Sequence, residues 1–466
     1  GRYEVKKVCC IGAGYVGGPT MIVFANKCPD IQFKVVDLNE SRIEAWNNKD
    51  LTKLPIYEPG LDNLLKKCRN KNLFFLTDIK SSIEEADMIF ISVNTPTKRK
   101  GIGAGKASDL KWIEASARQI AEYAKGHTIV VEKSTLPVRT AETIKKILES
   151  SYKKHSEEYS SKTFSVLSNP EFLSEGNAIN DLENPDRVLI GGESKNAIDS
   201  LENLYTNWIN KEKIIRTNLW SSELSKLAAN AFLAQRISSI NSISAICEET
   251  GADIIQVSKA IGADTRIGAK FLNPSPGFGG SCFQKDILNL IYLCEFYKLD
   301  EVANYWQSVL NINNWQKFRI SKLVVNKLFG NISEKKISIL GFAFKANTND
   351  TRNSPCIDIC NELLEEGAKL SIYDPKVDYG QIHLDLNSNS KNEDKGSWEF
   401  CNSIEESAIN SHAILILTEW DEFKKINWIK LSKIMQKPHW IFDTRFCSNK
   451  KDALDAGFNY WSLGSQ

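Results

Sequence analysis

Short apolar segments alternate with longer amphipathic segments over the first part of the chain. Each apolar segment has the length and near-continuous hydrophobicity of a strand buried in a parallel sheet, and the segments between them repeat with the period of a helix. This pattern predicts strands at residues 5–11, 32–36, 88–93, 128–132 and 164–167, and a helix at 141–162.

The pattern changes near Trp220, where long helical periods replace the alternation. An uninterrupted helical pattern covers residues 221–249, which is roughly 40 Å of helix at 1.5 Å per residue. Further helices are predicted at 253–261 and 301–327. Alternation then returns, with strands at 337–340, 369–373, 413–417 and 440–442 and a polar loop at 387–395.

These elements predict an α/β fold with two Rossmann-like, doubly wound domains joined by a long central helix within a helical domain. The predicted domains are residues 1–218, 219–328 and 329–466.

A glycine-rich turn follows the first predicted strand and opens a helix. It has the pattern GxGxxG and consists of Gly12, Ala13, Gly14, Tyr15, Val16 and Gly17. The second strand ends in Asp37. Such glycines admit a pyrophosphate, the helix N-terminus holds its charge, and the acid binds the ribose hydroxyls. Because an aspartate repels a ribose phosphate, the pattern predicts NAD rather than NADP, with Arg42 on the adenosine side.

Two further loops follow strands of the same predicted sheet. Ligands of doubly wound sheets lie beyond the carboxyl ends of the strands, so we expect both loops to face the cofactor. The residues predicted to contact it there are Val93, Asn94, Thr95, Pro96, Thr97, Ser134, Thr135 and Leu136.

Composition excludes several classes of protein. The 466 residues carry a formal net charge of +1, so no bulk attraction to nucleic acid or to an anionic membrane is expected. No apolar run reaches the length of a membrane span, and no secretory segment is recognised at the start. The 11 cysteines are scattered without the spacing of a zinc site, and no metal is expected. They are typical of a reducing compartment, so we predict a cytoplasmic protein.

A cysteine stands at a predicted junction between loop and helix. Residues 277–286 read GFGGSCFQKD, in which three glycines precede Cys282 and Lys285 follows it. A helix N-terminus and a nearby lysine lower a thiol pKa below its free value of about 8.5, which favours a nucleophile. The alternative, a buried structural cysteine in a glycine turn, is equally compatible with the local sequence.

Two other pairs are candidates for chemistry. Glu171 and Glu175 follow a predicted strand and are acid/base candidates, although such carboxylates also occur as acids that stabilise a helix N-terminus. Lys226 and Asn230 are four residues apart on the long helix and share a face. That face is either functional or a solvated edge.

These motifs, in this order, closely resemble those of the UDP-glucose/GDP-mannose dehydrogenase family. The match extends over nearly the whole chain. It is carried by GAGYVG at Gly12, NTPT at Asn94, EKST at Glu132, NPEFLSEG at Asn169, SKLAANAF at Ser225, GFGGSCFQKD at Gly277, GFAFK at Gly341 and DTR at Asp443.

The resemblance implies oxidation of UDP-glucose to UDP-glucuronate with two NAD molecules in succession. The three predicted domains would bind NAD, carry the cysteine loop and bind the UDP-sugar, in that order. Cys282 would hold the substrate as a thiohemiacetal and then as a thioester. Glu171 would act as general base, Lys226 and Asn230 would stabilise an oxyanion, and Asp286 would orient a water. The implied catalytic residues are Cys282, Glu171, Lys226, Asn230, Asp286 and Thr135.

The resemblance also implies residues that bind ligands. Those added for the cofactor are Glu175, Cys282, Lys285 and Arg352. Those for the substrate are Glu171, Phe172, Leu173, Glu175, Lys226, Asn230, Arg266, Phe271, Asn273, Pro274, Ser275, Pro276, Gly277, Phe278, Gly279, Phe344, Lys345 and Arg445. Arg266 matches an arginine that reaches a neighbouring subunit's site, which implies a homo-oligomer, either a dimer or a hexamer formed as a trimer of dimers. Animal members often have a lysine where this chain has Asn273.

Three alternatives remain open. A GDP-mannose or UDP-N-acetyl-hexosamine dehydrogenase would share the thiol chemistry. A non-catalytic sugar-nucleotide sensor would share the scaffold. A one-step alcohol dehydrogenase would need neither Cys282 nor a second carboxylate.

Overall fold

The computed structural model describes residues 3–134, 139–154, 162–328, 332–387 and 396–466. Its strands are β1 (Lys7–Ile11), β2 (Gln32–Val36), β3 (Leu73–Leu76), β4 (Met88–Ile91), β5 (His127–Glu132), β6 (Thr163–Ser168), β7 (Val188–Gly192), β8 (Ile214–Thr217), β9 (Lys336–Leu340), β10 (Lys369–Tyr373), β11 (Ser397–Phe400), β12 (Ala413–Ile416), β13 (Trp440–Asp443) and β14 (Asn459–Ser462).

The α-helices connect these strands and fill the middle of the chain. They are α1 (Gly17–Lys27), α2 (Glu40–Trp46), α3 (Leu61–Cys68), α4 (Ile79–Glu85), α5 (Lys111–Tyr123), α6 (Thr140–Lys154), α7 (Ala178–Glu183), α8 (Lys195–Tyr205), α9 (Leu219–Glu249), α10 (Ile254–Gly262), α11 (Phe283–Phe296), α12 (Asp300–Lys327), α13 (Pro355–Glu365), α14 (Tyr379–Asn387), α15 (Ile404–Ala408), α16 (Trp428–Ser432) and α17 (Lys450–Asp455).

The first sheet has eight strands in the order β3-β2-β1-β4-β5-β6-β7-β8. Neighbouring strands are parallel except β6 and β7, which are antiparallel. The chain leaves β1 toward one edge of the sheet and returns to start again at β4 on its other side, which creates the switch point where such folds bind ligands. Aliphatic and aromatic side chains of β1, β2, β4 and β5 are fully buried on both faces of this sheet.

The second sheet has six parallel strands in the order β11-β10-β9-β12-β13-β14. Its order has the same switch between β9 and β12. The predicted fold class, with two Rossmann-like sheets and a long helix α9, is therefore confirmed.

The chain divides into two compact units. Unit 1 comprises residues 1–229 and 288–298, and unit 2 comprises residues 230–287 and 299–466. Helix α9 begins in unit 1 and ends in unit 2. The division into three domains at residues 218 and 328 stays a prediction.

Two predicted segments need comment. The helix predicted at 141–162 is present over Thr140–Lys154, but Lys162 is not helical, and its Nζ donates to the Ala121 carbonyl at 2.8 Å. Residues 155–161 lie outside the described residues. Of the predicted loop 387–395, Asn387 ends α14, and the remainder also lies outside them.

Within the described ranges, no helix combines the length and the apolar character needed to cross a bilayer.

Candidate active site

The glycine turn between β1 and α1 is shaped by close backbone packing. Gly12 has a φ of +112°, and a Cβ there would lie 2.3 Å from the Ser92 carbonyl oxygen. A Cβ on Gly17 would lie 2.2 Å from the Gly12 carbonyl oxygen. Gly14 has nothing within 4 Å of its Cβ position. Two of the glycines are therefore needed for packing, while the third leaves an open face where a phosphate can approach the backbone.

Asp37 stands at the end of β2, beside this turn. Its Oδ2 accepts from the Ala13 amide at 3.0 Å, its Oδ1 accepts from the Asn39 amide at 2.9 Å, and Arg42 Nη1 lies 3.4 Å from Oδ2. The carboxylate is thus held at the carboxyl edge of the sheet. A dinucleotide requires an open glycine turn and a helix N-terminus that donate to its phosphates and a fixed aspartate that accepts from its ribose, so these residues fit NAD. Tyr15 and Val16 complete the turn, with Val16 directly before α1.

The loops after β4 and β5 are tied together by one side chain. Ser134 Oγ lies 3.2 Å from the carbonyl oxygens of both Ile91 and Val93. Thr95, in the first of these loops, is buried. Two predicted residues, Thr135 and Leu136, lie outside the described part of the chain. The rest of the predicted set (Asn94, Pro96 and Thr97) follows β4 in the same loop.

Glu171 and Glu175 lie in the irregular segment between β6 and α7, which begins only at Ala178. A different acid serves the helix entry. The buried carboxylate of Glu58 accepts from the Gly176 amide at 2.8 Å and from the Ala178 amide at 3.3 Å. Glu58 therefore takes the helix-capping role considered for the Glu171 pair, and nothing in the local sequence indicated it.

Glu171 is paired with a buried lysine. Lys133 Nζ lies 2.8 Å from Glu171 Oε2, and the two side chains are 1% and 13% exposed. The same nitrogen donates to Asn169 Oδ1 at 2.9 Å and to the Tyr205 hydroxyl at 3.1 Å. Sequence reasoning assigned no role to Lys133. The available signal was a lysine directly after a buried parallel strand, where a charge needs a partner.

A cleft with about 540 Å³ of empty space borders Glu171, Lys133, Phe172 and Arg187. The Arg187 guanidinium lies 3.6 Å from the centre of the Phe172 ring, and Lys226 Nζ lies 5.0 Å from it. Burial lowers the pKa of Arg187 from its ordinary value. Two cations therefore converge on one aromatic ring next to the carboxylate.

Lys226 and Asn230 are only 4% and 6% exposed, which excludes the solvated-edge alternative. Asn230 Nδ2 donates to Asp286 Oδ2 at 2.6 Å, and Asp286 is fully buried in the first turn of α11. The long helix thus presents buried polar groups, which rarely occur in a core unless they are hydrogen-bonded.

Cys282 immediately precedes α11. Its carbonyl accepts from the Asp286 amide at 2.8 Å, and its Sγ lies 3.3 Å from Ser281 Oγ. The other ten cysteines are buried, whereas Cys282 is partly exposed. Burial raises the pKa of Cys10 to about 12 and that of Cys356 to about 11. Cys282 is therefore not the buried structural cysteine of the alternative interpretation. Lys285 lies one turn further on in α11.

The glycines before Cys282 pack against the loops of the second sheet. The Gly280 amide donates to the Arg352 carbonyl at 2.7 Å. A Cβ on Gly279 would lie 2.6 Å from the Asn353 carbonyl oxygen and 2.9 Å from Phe344 Cβ. Only glycine fits so close to this backbone, so the cysteine loop and the Phe344 loop are joined in unit 2.

The predicted substrate segment 273–279 is held by three amide side chains. Asn241 Oδ1 accepts from the Ser275 amide, Asn313 Oδ1 accepts from the Phe278 amide, and Gln316 Nε2 donates to the Ser275 carbonyl, each at 2.8 Å. Residues 274–279 are buried, and Asn273 and Phe271 are exposed. This set comprises Asn273, Pro274, Ser275, Pro276, Gly277, Phe278 and Gly279.

Arg445 is bonded through all three of its nitrogens. Nη1 lies 2.7 Å from Glu419 Oε2, Nε donates to the Leu417 carbonyl at 3.0 Å, and Nη2 donates to the Phe344 carbonyl at 3.0 Å. Glu419 Oε1 also accepts from the Ala346 amide. This network joins the ends of β12 and β13 to the loop after β9.

The remaining predicted residues are dispersed. Arg266 is 88% exposed and pairs with Asp264 at 2.8 Å, and Arg352 pairs with Asp350 at the same distance. Lys345 Nζ lies 5.5 Å from the Phe344 ring centre. Leu173 packs against the core of unit 1. The described residues contain no group of three or more His, Cys, Asp and Glu placed to hold a metal ion.

Three adjoining family patterns match the chain. They describe the NAD binding domain, the central domain and the UDP binding domain of the UDP-glucose/GDP-mannose dehydrogenase family, over residues 6–209, 220–315 and 338–450. The chain belongs to the UDP-glucose/GDP-mannose dehydrogenase family.

Relatives within this dehydrogenase family match over nearly their full length. The chain is 55% identical over 468 residues to UDP-glucose 6-dehydrogenase of Drosophila melanogaster, covering 99% of this chain and 96% of that protein. It is 54% identical over 475 residues to UDP-glucose 6-dehydrogenase 1 of Arabidopsis thaliana, covering 98% and 97%. A solved UDP-glucose dehydrogenase structure from Pyrobaculum islandicum superposes with a TM-score of 0.82 at 27% identity, covering 99% and 98%.

Membership in this dehydrogenase family defines the protein as an NAD-dependent oxidoreductase with a UDP-sugar as its small-molecule partner. The cofactor predicted from the glycine turn and Asp37 is therefore confirmed as NAD. The roles of individual site residues stay predictions.

Proposed function

We propose that the protein oxidises UDP-glucose to UDP-glucuronate in two successive steps and reduces two NAD molecules. The observation that carries the proposal is Cys282, the one partly exposed thiol, at the N-terminal end of α11. A second oxidation needs the aldehyde to be retained, and a thiol retains it covalently. The 53–55% identity to proteins named UDP-glucose 6-dehydrogenase supports this choice of substrate.

The cofactor would be held by the glycine turn 12–17, by Asp37 and by the loops after β4 and β5. When bound, NAD supplies an acceptor for the hydride that leaves C6 of the sugar in each oxidation. The protein's own task is to orient C6 and to prevent the aldehyde from escaping.

Cys282 would carry the covalent chemistry. Its thiolate adds to the C6 aldehyde, forming a C–S bond, and the carbonyl oxygen takes up a proton to become the hydroxyl of a thiohemiacetal. Loss of the hydride from C6 and of the proton from the hydroxyl then gives a thioester. Water adds to that carbonyl, the C–S bond breaks, and the thiolate is regenerated as the carboxylate forms.

Glu171 would accept the proton from that water, as a general base. Lys226 and Asn230 would donate to the oxyanion that develops at C6, because both are buried and a buried donor is worth more than a solvated one. Asp286 occupies one Nδ2 hydrogen of Asn230 at 2.6 Å, which leaves the second hydrogen for the oxyanion. Thr135 and Glu175 complete the proposed set on the cofactor side.

The UDP moiety would be bound by segment 273–279, Lys345 and Arg445. We further propose that Arg266, whose side chain is 88% exposed, serves a neighbouring copy of the chain in a homo-oligomer. A reducing compartment such as the cytoplasm suits the proposal, because all eleven cysteines are free thiols.

Rapid mixing with UDP-glucose and NAD tests the proposal. Mass analysis of quenched samples is expected to find an acyl adduct on Cys282, and the reaction is expected to yield two NADH per UDP-glucose. GDP-mannose and UDP-N-acetyl-hexosamines, supplied in parallel, are expected to yield far less NADH. Release of free aldehyde with one NADH, or steady two-step turnover by Cys282→Ser, would overturn the thioester scheme.

A further inference from the structure

Lys133 is a lysine for which the proposed mechanism has no use. It follows β5 directly, its side chain is 1% exposed, and its ammonium has four oxygen atoms within reach. These atoms are Glu171 Oε2 at 2.8 Å, Asn169 Oδ1 at 2.9 Å, the Tyr205 hydroxyl at 3.1 Å and the Asn169 carbonyl oxygen at 3.3 Å. Since an ammonium has three N–H bonds, none is left for a substrate.

The surroundings keep this lysine charged. Burial alone would lower the pKa of the Lys133 ammonium, but the effects of Glu171 and then Tyr205 outweigh burial, so the pKa lies above its ordinary value. Burial raises the pKa of Tyr205, which therefore stays a neutral phenol that donates to Asn169 Oδ1 at 2.7 Å. Within the described part of the chain, the charged or titratable groups that interact with the Lys133–Glu171 pair are Tyr205, Cys10, Glu132 and Arg187.

We propose that Lys133 is the positioning residue of Glu171, holding its Oε2 so that Oε1 is left to take the proton of the hydrolytic water. This inference rests on the proposed function. Glu171 Oε1 lies 3.2 Å from the amide of Phe172, which lines the neighbouring cleft. In the hydrolytic step the water forms a bond to C6, the C–S bond to Cys282 breaks, and the proton passes to Oε1. Lys133 keeps its three protons throughout.

The consequence is a defined pH dependence. A carboxylate acts as a base only when it is ionised, and a cation in contact lowers its pKa by about 1–3 units. Without Lys133, the carboxylate of Glu171 loses the cation in contact with it that favours the charged form. Hydrolysis of the acyl-enzyme would then lose its activity at the acid end of its pH range first.

Lys133→Met and Lys133→Gln test this inference. Single-turnover formation of UDP-glucuronate is measured by rapid quench at a series of pH values. In both variants the acidic limb of this pH–rate profile is expected to move to higher pH by about 1–3 units. The adduct on Cys282 is expected to accumulate below that limb. The glutamine variant keeps a hydrogen-bond donor and serves where the methionine variant does not fold. Lys133→Arg keeps the charge and is expected to restore the limb.

Lys145→Met is the matched control. Lys145 forms an ion pair of the same length, 2.8 Å, with Glu193 in the same unit, but those side chains are 37% and 72% exposed. The pH–rate profile of Lys145→Met is expected to equal that of the parent protein.

An unshifted limb in both neutral variants would overturn the role of Lys133, provided that Glu171→Gln accumulates the adduct. If Glu171→Gln accumulates no adduct, the assignment of Glu171 as base fails instead. The two failures are therefore distinguishable.

Discussion

The Arg445 guanidinium is held 2.7 Å from Glu419 Oε2 and is 12% exposed, while the other oxygen of Glu419 accepts from the Ala346 amide. One carboxylate therefore fixes both a predicted UDP contact and the loop that carries Lys345. A charge-assisted hydrogen bond of this kind fixes the geometry of the two groups and is stronger than a neutral one.

Glu419→Gln is expected to weaken UDP-glucose binding. The variant replaces a charged bond, which contributes about 1.5–3 kcal/mol, with a neutral one, so KM for UDP-glucose should rise about tenfold. KM for NAD should not change, because NAD is bound by unit 1 in our proposal. Steady-state kinetics with each ligand varied in turn measure both values.

Asp421→Asn is the control for that variant. Asp421 lies two residues away, its side chain is 85% exposed, and its Oδ1 forms a longer ion pair, 3.5 Å, with Lys424 Nζ. Equal increases in KM for the two ligands, or the same effect in the control, would contradict a specific role of Glu419.

Asn230→Ala is expected to reduce both stability and activity. The substitution leaves the fully buried Asp286 without a 2.6 Å donor, which should cost about 1–3 kcal/mol in the free energy of unfolding. Loss of an oxyanion donor should lower kcat about 10²–10³-fold. Urea denaturation and steady-state kinetics give the two numbers. Asn326→Ala, at an exposed position of α12, is the control and should change neither the free energy of unfolding nor kcat. A normal kcat in Asn230→Ala would show that Asn230 does not stabilise the oxyanion.

The stability of Glu223→Gln, compared with that of the parent protein, is expected to increase as pH rises. Burial raises the pKa of Glu223 to about 7, although backbone amides near Thr140 oppose this effect. The folded state therefore binds a proton more tightly than the unfolded state, and its stability falls between about pH 4.3 and pH 7. The glutamine removes this loss, so its advantage should grow across that window to about 4 kcal/mol.

Melting temperatures of the parent protein and Glu223→Gln from pH 5 to pH 8 measure the effect. Glu149→Gln, at an exposed position on α6, should follow the parent protein. A difference between Glu223→Gln and the parent protein that stays constant with pH would show that the carboxyl of Glu223 titrates normally.

Alkylation with iodoacetamide at neutral pH is expected to modify Cys282 first. The other ten thiols are buried, and burial raises the pKa of several of them, to about 11 for Cys28 and about 12 for Cys447. Peptide mass analysis should find one labelled site, and activity should fall in proportion to its labelling. Cys282→Ala should remain unlabelled over the same time. Faster labelling at another cysteine would contradict the assignment of Cys282 as the accessible thiol.

Local patterns were sufficient for much of this protein. The strand Gln32–Val36 and the turn from Gly12 to Gly17 were predicted from hydrophobic runs and spacing, because a buried parallel strand and a phosphate-binding turn each have a short-range signature. Cys282 was placed correctly before a helix for the same reason.

Contacts between distant parts of the chain could not be predicted in this way. Glu58 accepts from the amide of Gly176 across 118 positions of sequence. Lys133, which follows β5, pairs with Glu171, which follows the neighbouring strand β6. No spacing rule links such residues, since only the order of strands in the sheet brings them together.

The sequence by itself determined nine of the fourteen described strands of the two α/β sheets, the long helix and the cofactor turn, because these follow from periodicity and from glycine at positions without room for a side chain. Only the tertiary structure decided which polar groups are buried. The sequence was equally compatible with Lys226 and Asn230 on a solvated edge and in a functional site, and their low exposure decided between the two. Burial depends on what covers a helix face, and that covering comes from residues far away in the chain.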